Sequence, residues 1–214
     1  SGTSYEIEVY EYTTGNLYIR PPLTISRSTI NSSNPTTAAT AMVFSNITGT
    51  SMNVQFSQGN GAASVLVARA GSAVSFTPSD GVSYSPNTDF SAGVDLGSGN
   101  KIIAIRTDAA SGTPITVTGL NANTTYHFAV FEMNGTAGNG SENYSTVNLT
   151  GNRKTEPSLQ ATITGIDNIT ETSMRVNWTN GNGDRRLIIM REGGAVATDP
   201  TDQTTYTEGA DFDF

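Results

Sequence analysis

The sequence predicts an all-β chain made of tandem β-sandwich modules. Three observations carry that prediction: short runs of alternating or β-branched apolar residues, dense turn chemistry between them, and an internal repeat with an offset of 122 residues. The 22 glycines, with abundant Thr, Ser and Asn and only 14% charged residues, suit short strands and many turns better than helices.

Between residues 35 and 156 the runs predict seven strands: Ala39 to Phe44, Met52 to Ser57, Ser64 to Ala70, Ile102 to Thr107, Pro114 to Gly119, Tyr126 to Met133 and Tyr144 to Asn148. In Met52, Val54, Phe56 and in Val65, Val67 the apolar residues fall at period two, which puts one face inward and the other outward. Seven short strands imply a sandwich.

The repeat sets the organisation. Asn46, Ile47, Thr48, Thr50, Ser51, Met52, Val54 recur as Asn168, Ile169, Thr170, Thr172, Ser173, Met174, Val176, and Gly59, Asn60, Gly61 recur as Gly181, Asn182, Gly183. Arg69, Tyr84, Asp89 and Phe90 have counterparts in Arg191, Tyr206, Asp211 and Phe212 without a gap. A second echo joins Tyr5, Ile7, Val9, Tyr10, Glu11 to Tyr126, Phe128, Val130, Phe131, Glu132. The predicted layout is therefore the C-terminal strands of one repeat over 1–34, a complete repeat over 35–156, and the N-terminal half of a third over 157–214. Both ends fall inside modules. That suggests either a stretch of a longer polypeptide or a head-to-tail polymer in which one chain's opening strands complete another's last module. The linkers around Ser32 to Thr37 and Lys154 to Ser158 are short and carry Pro35 and Pro157, which favours a semi-rigid rod.

Composition limits the partners. The net charge is -8, and the basic residues form no cluster longer than Arg185 and Arg186, so nucleic acid is not an expected partner. Apolar runs such as Leu187 to Met190 are too short for a helix to cross a bilayer, and no direct membrane insertion is expected. With no cysteine, the fold must be held by its sheets and core alone.

The segment Gly119, Leu120, Asn121, Ala122, Asn123, Thr124, Thr125, Tyr126, followed by Phe128 and Val130, resembles the tyrosine corner of fibronectin type III domains. The resemblance implies that Tyr126 bonds upstream backbone through its hydroxyl while its ring enters the core. Trp178 stands at that family's strand B tryptophan position, which Phe56 fills in the complete repeat. Leu120, Val54, Phe56, Tyr126, Val130 and Trp178 are thus the expected structural residues. The stretch Asn177, Trp178, Thr179, Asn180, Gly181, Asn182, Gly183, Asp184, Arg185, Arg186 and the run from Ala70 through Pro78 to Tyr84 are similar to the long fibronectin-like repeats of secreted Bacteroidota cell-surface proteins. Those include gliding and adhesion proteins of the type IX-secreted kind. The likeness implies an extracellular location. The repeat departs from ordinary fibronectin modules in length, since about 122 residues exceeds their usual size by an insertion of about 25 residues near Phe76 to Asn100, a connection long enough to call for structure or function of its own.

No residue set predicts catalysis. The lone His127 alternates with Tyr126 and Phe128 and should point outward as an ordinary strand residue. Gly59 and Gly61 make a hairpin-type loop without the helix that phosphate binding requires. Asp80, Asp89 and Asp95, with Asn100, offer oxygen ligands suited to Ca²⁺, as do Asp199, Asp202, Asp211 and Asp213 in the later copy. Their competing reading is that of turn residues, since no calcium-loop spacing appears. Otherwise no cofactor is expected. Aromatics beside inward residues, Tyr10 next to Val9 and Phe131 next to Val130, suggest that the insertion covers the sheet's outer face rather than leaving a sugar-binding platform. The functional expectation is a non-catalytic stalk or adhesin segment whose partners are neighbouring repeats and a surface or polysaccharide ligand. Two rivals stand beside it: an accessory carbohydrate-binding array of a secreted hydrolase, and a self-assembling filament subunit.

Overall fold

The computed structural model describes residues 3–29, 33–107 and 113–207, and no helix occurs among them. In chain order the strands are β1 (Ser4–Val9), β2 (Leu23–Ser28), β3 (Thr40–Ser45), β4 (Met52–Ser57), β5 (Ala63–Ala70), β6 (Lys101–Arg106), β7 (Ile115–Val117), β8 (Thr125–Asn134), β9 (Asn143–Lys154), β10 (Thr162–Asp167) and β11 (Arg175–Thr179).

Strands β3 to β9 form two antiparallel sheets, ordered β3-β4-β7 and β6-β5-β8-β9. The period-two pattern decides what lies between them. Met52, Val54 and Phe56 of β4 and Ile115 and Val117 of β7 share one buried cluster with Leu66 and Ala68 of β5, Ile103 of β6 and Tyr126, Phe128 and Val130 of β8. Each large side chain fully withdrawn from water contributes about 1.5–3 kcal/mol, so this sandwich-like interior needs no covalent staple.

A second cluster lies on the other face of the four-stranded sheet. Val65, Val67, Ile102, Ala129, Phe131, Met133 and Tyr144 are buried there beneath Val74, Phe76, Tyr84 and Leu96 of the β5–β6 connection. Tyr84 meets Phe76 edge-on at 5.4 Å between ring centroids and Tyr144 at 5.9 Å. Strands covered on both faces read as continuous apolar runs, and burial is unbroken from Tyr126 to Met133 except at His127. His127 is half-buried between Arg69 and Asn152 of the flanking strands.

The sequence repeats reappear as matching registers. Tyr5 opposes Arg27 and Val9 opposes Leu23 in β1–β2, as Tyr126 opposes Arg153 and Val130 opposes Leu149 in β8–β9. Ile166 opposes Val176 in β10–β11, as Phe44 opposes Val54 in β3–β4, and both hairpins carry a bulge near their outer end.

Two sequence expectations, the place of Trp178 and the end of the last predicted strand, need correction. Trp178 is 43% exposed, whereas Phe56 is 6% exposed, because among the described residues β10–β11 has no second sheet facing it. The indole N–H instead donates to Asn180 Oδ1 at 3.0 Å. Leu187 to Met190 occupy the repeat positions of β5 yet form no strand and are exposed. Strand β9 runs six residues beyond the predicted Asn148, to Lys154, through Gly151. Residues 184–207 belong to a separate unit, in which Thr201 N donates to Tyr206 Oη at 2.8 Å, just as Ser79 N donates to Tyr84 Oη in the earlier copy.

Candidate functional site

The three calcium candidates lie on the β5–β6 connection, and each carboxylate already accepts a backbone N–H. Asp80 Oδ1 accepts Tyr144 N at 2.7 Å. Asp89 Oδ1 accepts Ser91 N at 2.9 Å and Ser91 Oγ at 2.7 Å, and the Ser91 hydroxyl is the main cause holding this carboxyl below its usual range. Asp95 Oδ1 accepts Gly97 N at 2.8 Å and Gly99 N at 3.0 Å. Among the described residues no group of three His, Cys, Asp or Glu side chains is placed to hold a metal ion. Asn100 is buried and binds Ser75 through both ends of its amide. Asp199 and Asp202 lie in the separate unit, and Asp211 and Asp213 fall outside the described residues.

Two buried acids were not singled out from sequence. Glu132 Oε1 accepts Ser64 Oγ at 2.9 Å and its Oε2 accepts Gly61 N at 3.1 Å, which anchors the 58–62 loop to β8. Glu142 binds the Ser83 hydroxyl and Gly138 N. Burial pushes its carboxyl up, but those donors and the backbone N–H groups of Glu142 and Gly140 outweigh burial and hold it low. The signal for Glu132 was present, an acid inside the apolar run Ala129 to Met133.

Of the expected structural residues, Leu120, Val54, Phe56, Tyr126 and Val130 share the core between the two sheets, and Trp178 does not. Tyr126 is fully buried, its ring edge-on to Phe90 at 5.0 Å, and its hydroxyl accepts Asn121 N at 2.8 Å. Leu120, also buried, donates its N–H to Thr50 O at 3.0 Å. Val54 and Val130 lie in the same core. Asn123 turns the chain between Leu120 and Tyr126 with φ of 52°, a left-handed conformation that Asn tolerates.

That turn grips the segment after β9. The Thr155 hydroxyl donates to Asn121 O at 2.7 Å and accepts Thr124 N at 3.0 Å, while Thr155 N donates to Thr124 O at 3.0 Å. Asn123 N donates to Glu156 O at 2.9 Å, and Glu156 N donates to Thr48 O at 3.2 Å. Beyond it, Asn182 Oδ1 accepts Ser158 N at 3.0 Å and Leu159 N at 2.8 Å, and Asn123 Nδ2 donates to Asn182 O at 2.6 Å. Residues 155–159 are thus bonded on one side to the body and on the other to the Gly181, Asn182, Gly183 loop.

The Gly59, Asn60, Gly61 loop repeats this arrangement at the other linker. Asn60 Oδ1 accepts Thr36 N at 3.0 Å and Thr37 N at 2.9 Å, and Asn134 Nδ2 donates to Ser33 O at 2.9 Å. A Cβ on Gly59 or Gly181 would stand 2.0 Å from the linker carbonyl of Thr37 or Leu159, so glycine is required for this approach. The loop read from sequence as a hairpin-type turn is in fact a clasp for the linker.

The fold and these clasps define an all-β, sandwich-like protein with hydrogen-bonded inter-element joints. No family model matches the chain, and no curated protein matches it.

Proposed function

We propose that the chain is a non-catalytic segment of fibronectin type III-like modules, part of a secreted or cell-surface stalk or adhesin. Its boundaries lie near residues 34 and 156, and its function is to transmit position and tension between repeats. The sheet order β3-β4-β7 against β6-β5-β8-β9 supports this reading, as do the Tyr126 corner and the matching registers of β1–β2 with β8–β9 and of β10–β11 with β3–β4. The observation that carries it is the linker. A free tether between modules would leave its backbone to water, whereas Thr155 and Glu156 bond to Thr48, Asn123 and Thr124 on one side, and Ser158 and Leu159 bond to Asn182 on the other.

The carbohydrate-binding reading draws support from the stacked Tyr12 and Tyr18, whose exposed rings lie 5.4 Å apart. Tyr12, however, stands at the repeat position of the fully buried Met133, and Phe76 and Tyr84 of the β5–β6 connection turn inward. Those features favour a core-building role for both aromatic sets. Calcium enters this reading only through Asp80, Asp89 and Asp95, whose carboxylates already accept backbone N–H groups.

The test measures the joint directly. The chain has no cysteine, so spin labels at Asn148→Cys and Glu171→Cys report one distance between β9 and the β10–β11 hairpin. A narrow distance distribution is expected. Thr155→Ala removes bonds that contribute about 0.5–1.5 kcal/mol each and should broaden it. A broad distribution in the chain that keeps Thr155 would refute the stalk reading.

A further inference from the structure

Each linker clasp is built on an Asn–Gly pair, and at the first clasp the surroundings admit nothing larger than glycine. Asn60 is tied at both ends of its amide: Oδ1 accepts Thr36 N and Thr37 N, and Nδ2 donates to Thr36 Oγ1 at 3.1 Å. Gly61 N donates to Glu132 Oε2 at 3.1 Å. A Cβ on Gly61 would stand 2.8 Å from that oxygen, from Met133 N and from Ala63 O. Glu132 is fully buried and its other oxygen accepts Ser64 Oγ, which fixes this anchor in the sheet. In the second clasp Asn182 Oδ1 accepts Ser158 N and Leu159 N, and Nδ2 donates to Ser158 Oγ at 3.2 Å. Gly183 N has no carboxylate partner among the described residues.

An Asn–Gly pair carries a chemistry of its own, because a glycine nitrogen reaches the preceding carboxamide without hindrance from a side chain. The nitrogen gives its proton to solvent base and bonds to the Asn Cγ. The Cγ–Nδ2 bond breaks and Nδ2 leaves as ammonia, which closes a five-membered cyclic imide. Water then opens the ring, at Cγ to give aspartate or at the main-chain carbonyl carbon to give isoaspartate. In the closed clasp the two reacting groups are held by different elements. The Asn60 amide is tied to the linker and Gly61 N to β8, so the new bond forms only after these hydrogen bonds part. Where opening and closing are fast, the rate then follows the population of the open clasp.

We propose that Asn60–Gly61 and Asn182–Gly183 are self-modification sites gated by the opening of their clasps, with the chain itself and water as the only reactants. Asn182 converts first, because Gly61 has in Glu132 an anchor that Gly183 does not share. Either product loses the Nδ2 donor that held Thr36 Oγ1 or Ser158 Oγ. Isoaspartate also adds a carbon to the main chain next to Gly59 or Gly181, where the linker carbonyl leaves no room even for a Cβ. A clasp converted in this way does not close again, so the modification marks joints that have opened. The inference rests on the clasp geometry and does not depend on the stalk reading.

The experiment incubates the chain in a mildly alkaline buffer made with heavy-oxygen water, folded and in urea, and follows conversion at each Asn by peptide mapping and mass spectrometry. In urea Asn60 and Asn182 should convert at the same rate, since each lies in a Gly-Asn-Gly sequence. In the folded chain both should slow, and Asn60 should lag Asn182 roughly two- to ten-fold, the effect of one hydrogen bond on an opening equilibrium. Thr36→Val keeps the shape of an exposed side chain and removes the acceptor of Asn60 Nδ2. It should speed Asn60 roughly two- to ten-fold and leave Asn182 unchanged. Glu132→Gln, which takes the charge from the anchor of Gly61, should do the same. If that chain unfolds, both sites convert at their urea rates and Thr36→Val decides. Conversion of Asn60 as fast in the folded chain as in urea, or faster, overturns the gate. So do equal folded rates at the two sites, or a Thr36→Val chain that converts no faster at Asn60.

Discussion

Tyr126 does two jobs with one side chain, and both can be separated experimentally. Its ring fills the core against Phe90, which Lys101 covers from 4.9 Å, while its hydroxyl fixes Asn121 N and so the turn that grips Thr155. Tyr126→Phe keeps the ring and loses the acceptor, so it should cost about 0.5–1.5 kcal/mol in urea unfolding. No loss would mean that water serves Asn121 equally well. This corner was legible because its residues are contiguous in sequence. Asp80 and Asp89 were less so: carboxylates that cap backbone N–H groups and carboxylates that bind a cation look alike until their acceptors are assigned. Glu142 was hidden for a related reason, since its donor Ser83 comes from 59 residues away.

At the scale of elements, the face that the β5–β6 connection covers is the sharpest test of the architecture. Phe131 is 2% exposed and lies beneath that connection. If the outer face is a true core, Phe131→Ala should cost about 3–5 kcal/mol by chemical denaturation. An outward, water-facing phenylalanine would cost within about 0.5 kcal/mol. The aromatic alternation at Phe131 signalled this cover, but the end of the last predicted strand was misplaced for a physical reason. Gly151 reads as a strand breaker, yet β9 continues through it, because a Cβ there would stand 2.5 Å from Met42 Sδ: the sheets approach closely at that point. Leu187 to Met190 stand at the repeat positions of β5 and form no strand. Strand β5 gains its hydrogen bonds from β6 and β8, and the later run has neither neighbour among the described residues. Strand character belongs to the pairing as much as to the residues.

For the molecule as a whole, the same argument divides the chain by stability. The seven strands β3 to β9 bury two apolar clusters, whereas β1–β2 leaves Tyr5, Ile7, Val9, Leu23 and Ile25 exposed, and β10–β11 leaves Ile163, Ile166 and Trp178 exposed. Two-stranded ribbons without a covered face are marginal in water, so native-state hydrogen exchange should be slowest for the amides of β5 and β8 and fast in both outer hairpins. The joint makes the prediction specific: the amides of Asn123, Thr155 and Glu156, outside the sheet ladders yet bonded to Glu156 O, Thr124 O and Thr48 O, should exchange with the body rather than with the hairpins. Fast exchange at those three positions would show the linker letting go while the sandwich stays folded, and a rod built on that linker would not hold its direction. Slow exchange would mean that the grip opens only when the body does, so the stiffness of each joint is set by the stability of the module beside it.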